Sequence, residues 1–336
     1  MSNAKISVIV PAYNSEKTIQ NTISSILNQP IKEVIDLIVV DDGSTDKTAK
    51  IVRQFSNVKY IYQKNSGPAS ARNRGAQEAD GDLLFFTDSD CIPHQDWILK
   101  MLPHFAEPKV GVVAGSYGIS NQNSWLARCI HTEIIYRHHQ LLPRYPKVFG
   151  SYNFGIKRKI FELVGGFNTD YRFASGEDND LSYKILKAGY QIYFEKESVV
   201  DHFHTEQFNK YLFEQFRHGY WRTKMYFDHP HMGWGDDYTF WKDIIEIPLA
   251  IFSIICLILG LWFGSPILKL AFFLSFLLFM LEFIYGFIIG KSFLKICQLT
   301  FMMFLRSLVR SFGFLLGFFT FLPRKIFFKI ITPGSF

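Results

Sequence analysis

At Ile244 the chain changes character, and that break sets what the molecule can fold into. Residues 244–264 and 267–290 are apolar runs, each near the roughly 20 residues that cross a bilayer as a helix. Ser265-Pro266 reads as the turn between them, so the two runs are expected to form a hairpin. A third run, residues 293–322, carries Arg306 and Arg310 near its middle. Burying such residues in hydrocarbon costs about 2.5–3.5 kcal/mol each, and either half of the run is too short to cross. The expectation is therefore a re-entrant or interfacial helical hairpin broken at the arginines, with Glu282 pairing with Arg306 or Arg310. Beyond Asp243 eight bases face only Glu246 and Glu282, which accounts for the whole-chain excess of +6. Residues 1–243 are neutral. Basic charge confined to an apolar tail suits anionic membrane lipid and argues against a nucleic-acid partner.

The part before the break alternates strand and helix signals. An apolar run at 6–10 leads into the loop Pro11-Ala12-Tyr13-Asn14-Ser15, and Ile19, Ile23, Ile26 and Leu27 then recur at helical spacing. A strand at 37–40 ends in Asp41-Asp42-Gly43-Ser44. Helices follow through Ala49, Val52 and Phe55 and over 69–79, with strands near 60–62 and 82–87. This alternation predicts an α/β fold with a mostly parallel sheet flanked by helices, whose ligands bind at the carboxyl ends of the strands. No Gly-x-Gly-x-x-Gly follows the first strand, which counts against a nicotinamide site. The run 6–10 is too short for a signal peptide, so residues 1–243 are expected on the cytoplasmic side of the cell membrane. Positive charge at Lys291 and Lys295 after two crossings agrees. Cys91, Cys129, Cys256 and Cys297 are scattered, with neither a disulfide framework nor a zinc spacing. Residues 209–243, dense in bases and aromatics such as Phe213, Arg217, Trp221, Trp234 and Trp241, are expected to form an interfacial connector.

The strand at 82–87 delivers Asp88-Ser89-Asp90 to the same sheet edge as Asp41. Alternation lets both carboxylates point to one side, where hard oxygen ligands suit Mg²⁺ or Mn²⁺. Taken alone the tripeptide reads first as an ordinary turn. Its company decides: Val10-Pro11-Ala12-Tyr13-Asn14, Val40-Asp41-Asp42-Gly43-Ser44, Asn65-x-Gly67-Pro68-Ala69-x-Ala71-Arg72-Asn73-x-Gly75, Gly165-Gly166-Phe167 and Gly176-Glu177-Asp178-x-Asp180-Leu181 occur in this order. The set resembles the family 2 glycosyltransferases, over about residues 6–205.

That resemblance implies a GT-A nucleotide-sugar fold, Rossmann-like, followed by transmembrane or interfacial helices. It implies a catalytic domain over 1–208, with the donor half at 1–100 and the acceptor half at 101–208, and a membrane domain over 244–336. Pro11, Tyr13, Asp41, Asp42, Arg72, Asp88 and Ser89 would bind the nucleotide sugar, with a UDP-sugar as the expected donor. Asp88 and Asp90 would hold Mg²⁺ or Mn²⁺, joined by His202 or His204, between which the spacing does not choose. Asp178 would be the general base that deprotonates the acceptor hydroxyl, with Glu177 positioning it. The bland alternative for this pair is an acidic first turn of a helix. Single displacement implies inversion at the anomeric carbon. Processive relatives carry Gln-x-x-Arg-Trp, which the run from Gln215 to Arg222 does not match, favouring addition of one or a few sugars. The acceptor expected is a lipid-linked saccharide. Transfer to polyprenyl phosphate and a non-catalytic sugar-nucleotide scaffold are the alternatives.

Overall fold

The structure, a computed structural model, describes residues 4–331 apart from 33, 174, 233–235, 238 and 240, with 323–331 described by backbone alone. Trp234, the side chains of the basic tail after Leu322 and the last five residues therefore lie outside the described residues. The chain forms two units, residues 1–122 with 134–204, and residues 123–133 with 205–336.

The first unit is built on one sheet of eight strands. They are β1 (Ile6–Ala12), β2 (Ile35–Asp41), β3 (Val58–Tyr62), β4 (Leu83–Thr87), β5 (Cys91–Pro93), β6 (Val110–Ile119), β7 (Asn153–Lys157) and β8 (Gln191–His202). The order across the sheet is β3-β2-β1-β4-β7-β6-β8-β5. Strands β3, β2, β1 and β4 run parallel. Strand β7 is antiparallel to both neighbours, β6 and β8 are parallel to each other, and β5 returns antiparallel along the end of β8. The sheet is thus mixed, with its all-parallel half supplying the edge that the sequence marks out.

Both faces of that half are buried, which is why its strands read as unbroken apolar runs. Val8, Val10, Leu37, Val39 and Phe85 face α1 (Ile19–Leu27), α2 (Thr48–Val52) and other elements of one core. Ile9, Ile38, Val40, Leu84 and Phe86 face the other, where α3 (Pro68–Glu78) packs. Helices α4 (Trp97–Met101), α5 (Trp125–Tyr136), α6 (Arg158–Leu163) and α7 (Glu177–Lys187) follow in chain order. Glycine is required where the chain enters α3 and α7. Gly67, at φ +91, starts α3, and a Cβ there would lie 2.5 Å from the Arg172 carbonyl oxygen. Gly176, at φ +112, turns the chain into α7.

In the second unit α8 (Phe208–Asp228) precedes α9 (Trp241–Phe263), α10 (Ser265–Ile289) and α11 (Phe293–Ile331). Residues 241–263, 265–289 and 293–322 are each long and apolar enough to cross a membrane. The break between α9 and α10 falls at Gly264, at φ +96. Ser265 and Pro266 belong to the first turn of α10 rather than to the turn itself, because proline is preorganised for that position.

One expectation is overturned here. Residues 293–322 are not a hairpin broken at the arginines but part of a single continuous helix. The arginines do not break the helix because acids meet them. Arg306 pairs with Glu133 and lies 3.9 Å from Glu246, and Arg310 lies 3.8 Å from Glu246 and bonds Gln215. Glu282 pairs not with an arginine but with Lys242, at 2.9 Å, while accepting the Ser307 hydroxyl at 3.0 Å. Lys242 also pairs with Glu246 one turn along α9. Three bases and three acids therefore neutralise one another inside this unit.

Candidate active site

The loops after β1 and β2 are tied to each other. The Asn14 amide donates to Ser44 Oγ at 2.9 Å, and Asn14 Oδ1 accepts the Thr45 amide at 2.8 Å. The Ser15 amide donates to Thr48 Oγ1 at 2.8 Å. Asn14 adopts φ +50, a left-handed conformation that asparagine tolerates better than most residues. This frame leaves the Tyr13 ring 53% exposed, a flat apolar surface at the sheet edge. Pro11 is buried within β1 opposite Val40, so it shapes the exit of the strand.

Asp41 and Asp42 are both buried, and their oxygens are committed to the protein. Asp41 accepts the Ser44 amide and the Tyr60 hydroxyl, each at 2.8 Å. Burial first, then the Asp41 charge, pushes the Tyr60 phenol up to about 12. Asp42 accepts Gln63 Nε2 at 2.7 Å, the Ser66 amide at 2.8 Å and the Gly67 amide at 2.9 Å. It thereby holds the turn that launches α3.

Arg72, one turn into α3, is the hub. It is 2% exposed and bridges two carboxylates, with Nη2 2.7 Å from Asp88 Oδ1 and Nη1 3.1 Å from Glu177 Oε1. Its guanidinium also sits 5.4 Å from the Phe167 ring centroid. Burial alone would lower the Arg72 pKa, but Asp88 and then Glu177 outweigh it and hold it above its ordinary value. Asn73, the next residue, clamps the Phe167 backbone, accepting its amide at 2.9 Å and donating to its carbonyl at 2.8 Å. This explains why Gly165-Gly166-Phe167 accompanies the α3 motif, a partnership that spacing alone does not reveal.

Glu177 is buried, and its second oxygen accepts the Ser175 amide at 2.8 Å. Burial first, then the neighbouring Asp178 charge, pushes its carboxyl up to about 7. Arg72 offsets this only in part, because its charge is shared with Asp88. Asp178 is half-buried in the first turn of α7, where a helix N-terminus favours a carboxylate.

Ser89 is fixed from beneath. Its hydroxyl meets Ser15 Oγ at 2.7 Å, and its carbonyl accepts Thr22 Oγ1 at 3.0 Å. Asp90 is more open, and its Oδ1 lies 3.4 Å from His202 Nε2. The two atoms are close to the roughly 3 Å edge of an octahedron with 2.1 Å bonds, so they fit one small divalent ion. Of the two candidate histidines, the structure sets one beside Asp90. His202 faces Asp90, whereas His204 is buried behind it, with the two Nδ1 atoms 3.0 Å apart. His202 arrives there because β5 pairs with the end of β8, setting Cys91 opposite His202.

Comparison with known proteins follows the same outline. Residues 7–165 match the family described as Glycosyl transferase family 2. The glycosyltransferase AglE of Haloferax volcanii is 29% identical over 220 residues, 64% of this chain and 71% of that protein. The probable glycosyltransferase YdaM of Bacillus subtilis is 31% identical over 206 residues, 56% of this chain. The poly-beta-1,6-N-acetyl-D-glucosamine synthase of Staphylococcus aureus is 30% identical over 201 residues, also 56% of this chain. The chain spans only 48% of each of these two bacterial relatives. In fold it is similar to the mannosyltransferase PcManGT from Pyrobaculum calidifontis, solved in complex with GDP-Man and Mn²⁺. The TM-score is 0.58 at 19% identity, over 92% of this chain and 87% of that one.

Proposed function

We propose that this chain, whose residues 7–165 match glycosyl transferase family 2, is an inverting, metal-dependent enzyme that moves a sugar from a nucleoside-diphosphate sugar to a lipid-linked saccharide. The observation that carries this reading is the Arg72 bridge, which ties Asp88 to Glu177 and hence the donor edge to the first turn of α7.

In this mechanism the exposed Tyr13 ring stacks on the nucleotide base, and Asp41 and Asp42 act by holding the loops that border it. Asp88, Asp90 and His202 would hold Mg²⁺ or Mn²⁺. Such an ion neutralises charge building on the departing diphosphate. Asp178 takes the proton of the acceptor hydroxyl as that oxygen attacks the anomeric carbon. A single displacement of this kind inverts the configuration. Glu177, held by Arg72 and the Ser175 amide, fixes the start of α7 and so aims Asp178.

The three long apolar helices support attachment to a membrane, which favours an acceptor dissolved in the same bilayer, and Lys291 and Lys295 after two crossings favour a cytoplasmic catalytic unit. The departure from Gln-x-x-Arg-Trp at residues 215–222 favours adding one or a few sugars.

The test is a donor screen on the purified full chain, reading nucleoside diphosphate release with Mg²⁺ or Mn²⁺ and lipid-linked saccharides. Asp178→Asn is expected to abolish transfer while sparing donor binding. Asp90→Ala is expected to weaken metal-dependent donor binding. Full transfer by Asp178→Asn would remove the assigned base. Transfer to bare polyprenyl phosphate alone would replace the acceptor class.

A further inference from the structure

Asp90, Cys91 and His202 converge in a way the catalytic reading does not use. Strand β5 pairs with β8 so that Cys91 lies directly opposite His202, and such cross-strand partners have adjacent side chains. The Asp90 carboxylate closes the triangle. One oxygen, one nitrogen and one sulfur ligand atom lie within 4.8 Å of one another. The Cys91 Sγ to Asp90 Oδ1 distance is 3.9 Å, and the His202 Nε2 to Asp90 Oδ1 distance is 3.4 Å.

These separations can be set against what a tetrahedral ion needs. With Zn–S near 2.3 Å and Zn–N or Zn–O near 2.1 Å, tetrahedral edges are roughly 3.6 Å for sulfur to oxygen and roughly 3.4 Å for nitrogen to oxygen. The sulfur–oxygen and nitrogen–oxygen edges lie within a few tenths of an ångström of these values, and the sulfur–nitrogen edge is below 4.8 Å. Behind the triangle, His204 Nδ1 lies 3.0 Å from His202 Nδ1, an outer-shell partner that fixes the ring. Asp90 is 41% exposed, which leaves a way in and a fourth position open.

We propose that Asp90, Cys91 and His202 form a site for a borderline-soft divalent cation, Zn²⁺ or Co²⁺, bound tetrahedrally through a thiolate. Binding exchanges the Cys91 thiol proton, released to solvent, for the S–metal bond, with no change of oxidation state. Mg²⁺ and Mn²⁺ prefer oxygen and have no use for the sulfur. Zn²⁺ would instead take Asp90 and His202 away from the hard ion, making the site inhibitory. That consequence, unlike the binding itself, rests on the function proposed above.

The test uses the full chain in detergent, stripped by chelation, in a background with Cys129, Cys256 and Cys297 replaced by serine. Co²⁺ titration is expected to give a near-ultraviolet thiolate-to-cobalt charge-transfer band and tetrahedral visible bands, both bleached by Zn²⁺. Cys91→Ser should remove the charge-transfer band and weaken Zn²⁺ binding by more than about 10-fold, the lower loss expected on removing even an outer-shell partner. Mn²⁺ affinity should stay within twofold. Cys91→Ala repeats the measurement if serine disturbs the core. A cobalt spectrum without the thiolate band, or equal Zn²⁺ affinity with and without the sulfur, overturns the site. The thiolate band without Mn²⁺-dependent transfer from any donor leaves the metal site standing and removes the functional reading.

Discussion

Replacing Glu177 by glutamine separates the cost of a buried charge from the worth of its ion pair. Glutamine matches the neutral carboxyl in shape and still accepts the Ser175 amide. The native carboxyl titrates at about 7 against an ordinary 4.5, chiefly through burial and the Asp178 charge. Between those values the folded protein binds a proton that the unfolded chain has released. Stability must therefore fall as pH rises from about 4.5 to about 7, and the loss is complete above that range. The shift corresponds to about 3 kcal/mol at 1.36 kcal/mol per unit. Glu177→Gln should consequently be close to neutral at pH 5 and stabilising by about 3 kcal/mol at pH 8. For a unit of roughly 200 residues that is a difference of roughly 6–12 °C in melting temperature. Thermal unfolding of parent and variant in detergent, followed by fluorescence at half-unit pH steps, reads it directly. Parallel pH profiles would refute the reasoning. A variant less stable than the parent at pH 8 would mean that the Arg72 pair outweighs burial. The same variant should transfer sugar less well than the parent at pH 8, where the parent's Glu177 is charged, and differ less from it near pH 5.

Arg72→Ala strands Asp88 and Glu177 together and is expected to cost about 3–5 kcal/mol, visible as a lower melting temperature of the catalytic unit, with Arg72→Lys intermediate because one ammonium cannot bridge both acids. Lys242→Ala leaves Glu246 and Glu282 without their shared cation, and a similar cost should appear as loss of detergent-stable protein on size-exclusion chromatography; yield and elution equal to the parent would contradict the paired cluster. Single cysteines at Ser265 and Ser292, in a background lacking the native four, should label from opposite sides of sealed vesicles. Labelling of both from one side would rule out α10 as a crossing.

Much of the fold was legible because local chemistry and global packing agree. Runs such as 37–40 are apolar throughout since both sheet faces are covered, and the acids at strand ends mark the ligand edge. The sequence did not reveal where the later strands go. Strand β7 enters the middle of the sheet antiparallel, a choice made by tertiary pairing. Asp41 and Asp42 stand out as acids ending a strand, but the loop amides, Tyr60 and Gln63 that their oxygens accept could not be read from spacing. Arg72 was visible as part of a motif, but its two partners, just after β4 and in the first turn of α7, are far apart in the chain. The cysteines carried no metal spacing because Cys91 and His202 meet only through strand pairing. The unbroken helix through 293–322 departs from the sequence expectation for a related reason. An arginine within an apolar run looks like a boundary until its counter-charges on other helices are known.

Those counter-charges bear on how the second unit is made. Helix α9 carries Lys242 and Glu246 one turn apart, where they pair in the folded chain. Helix α10 brings Glu282, whose charge has a cation waiting on the preceding helix. Helix α11 brings two arginines, and both Glu133 and Glu246 have been synthesised before them. At every stage of synthesis the acid or base needed by the next helix is therefore already present. If the three helices enter the bilayer as proposed, α11 is held there by protein charges as well as by its own hydrophobicity. A ribosome halted after α10 would leave Glu133 without its arginine.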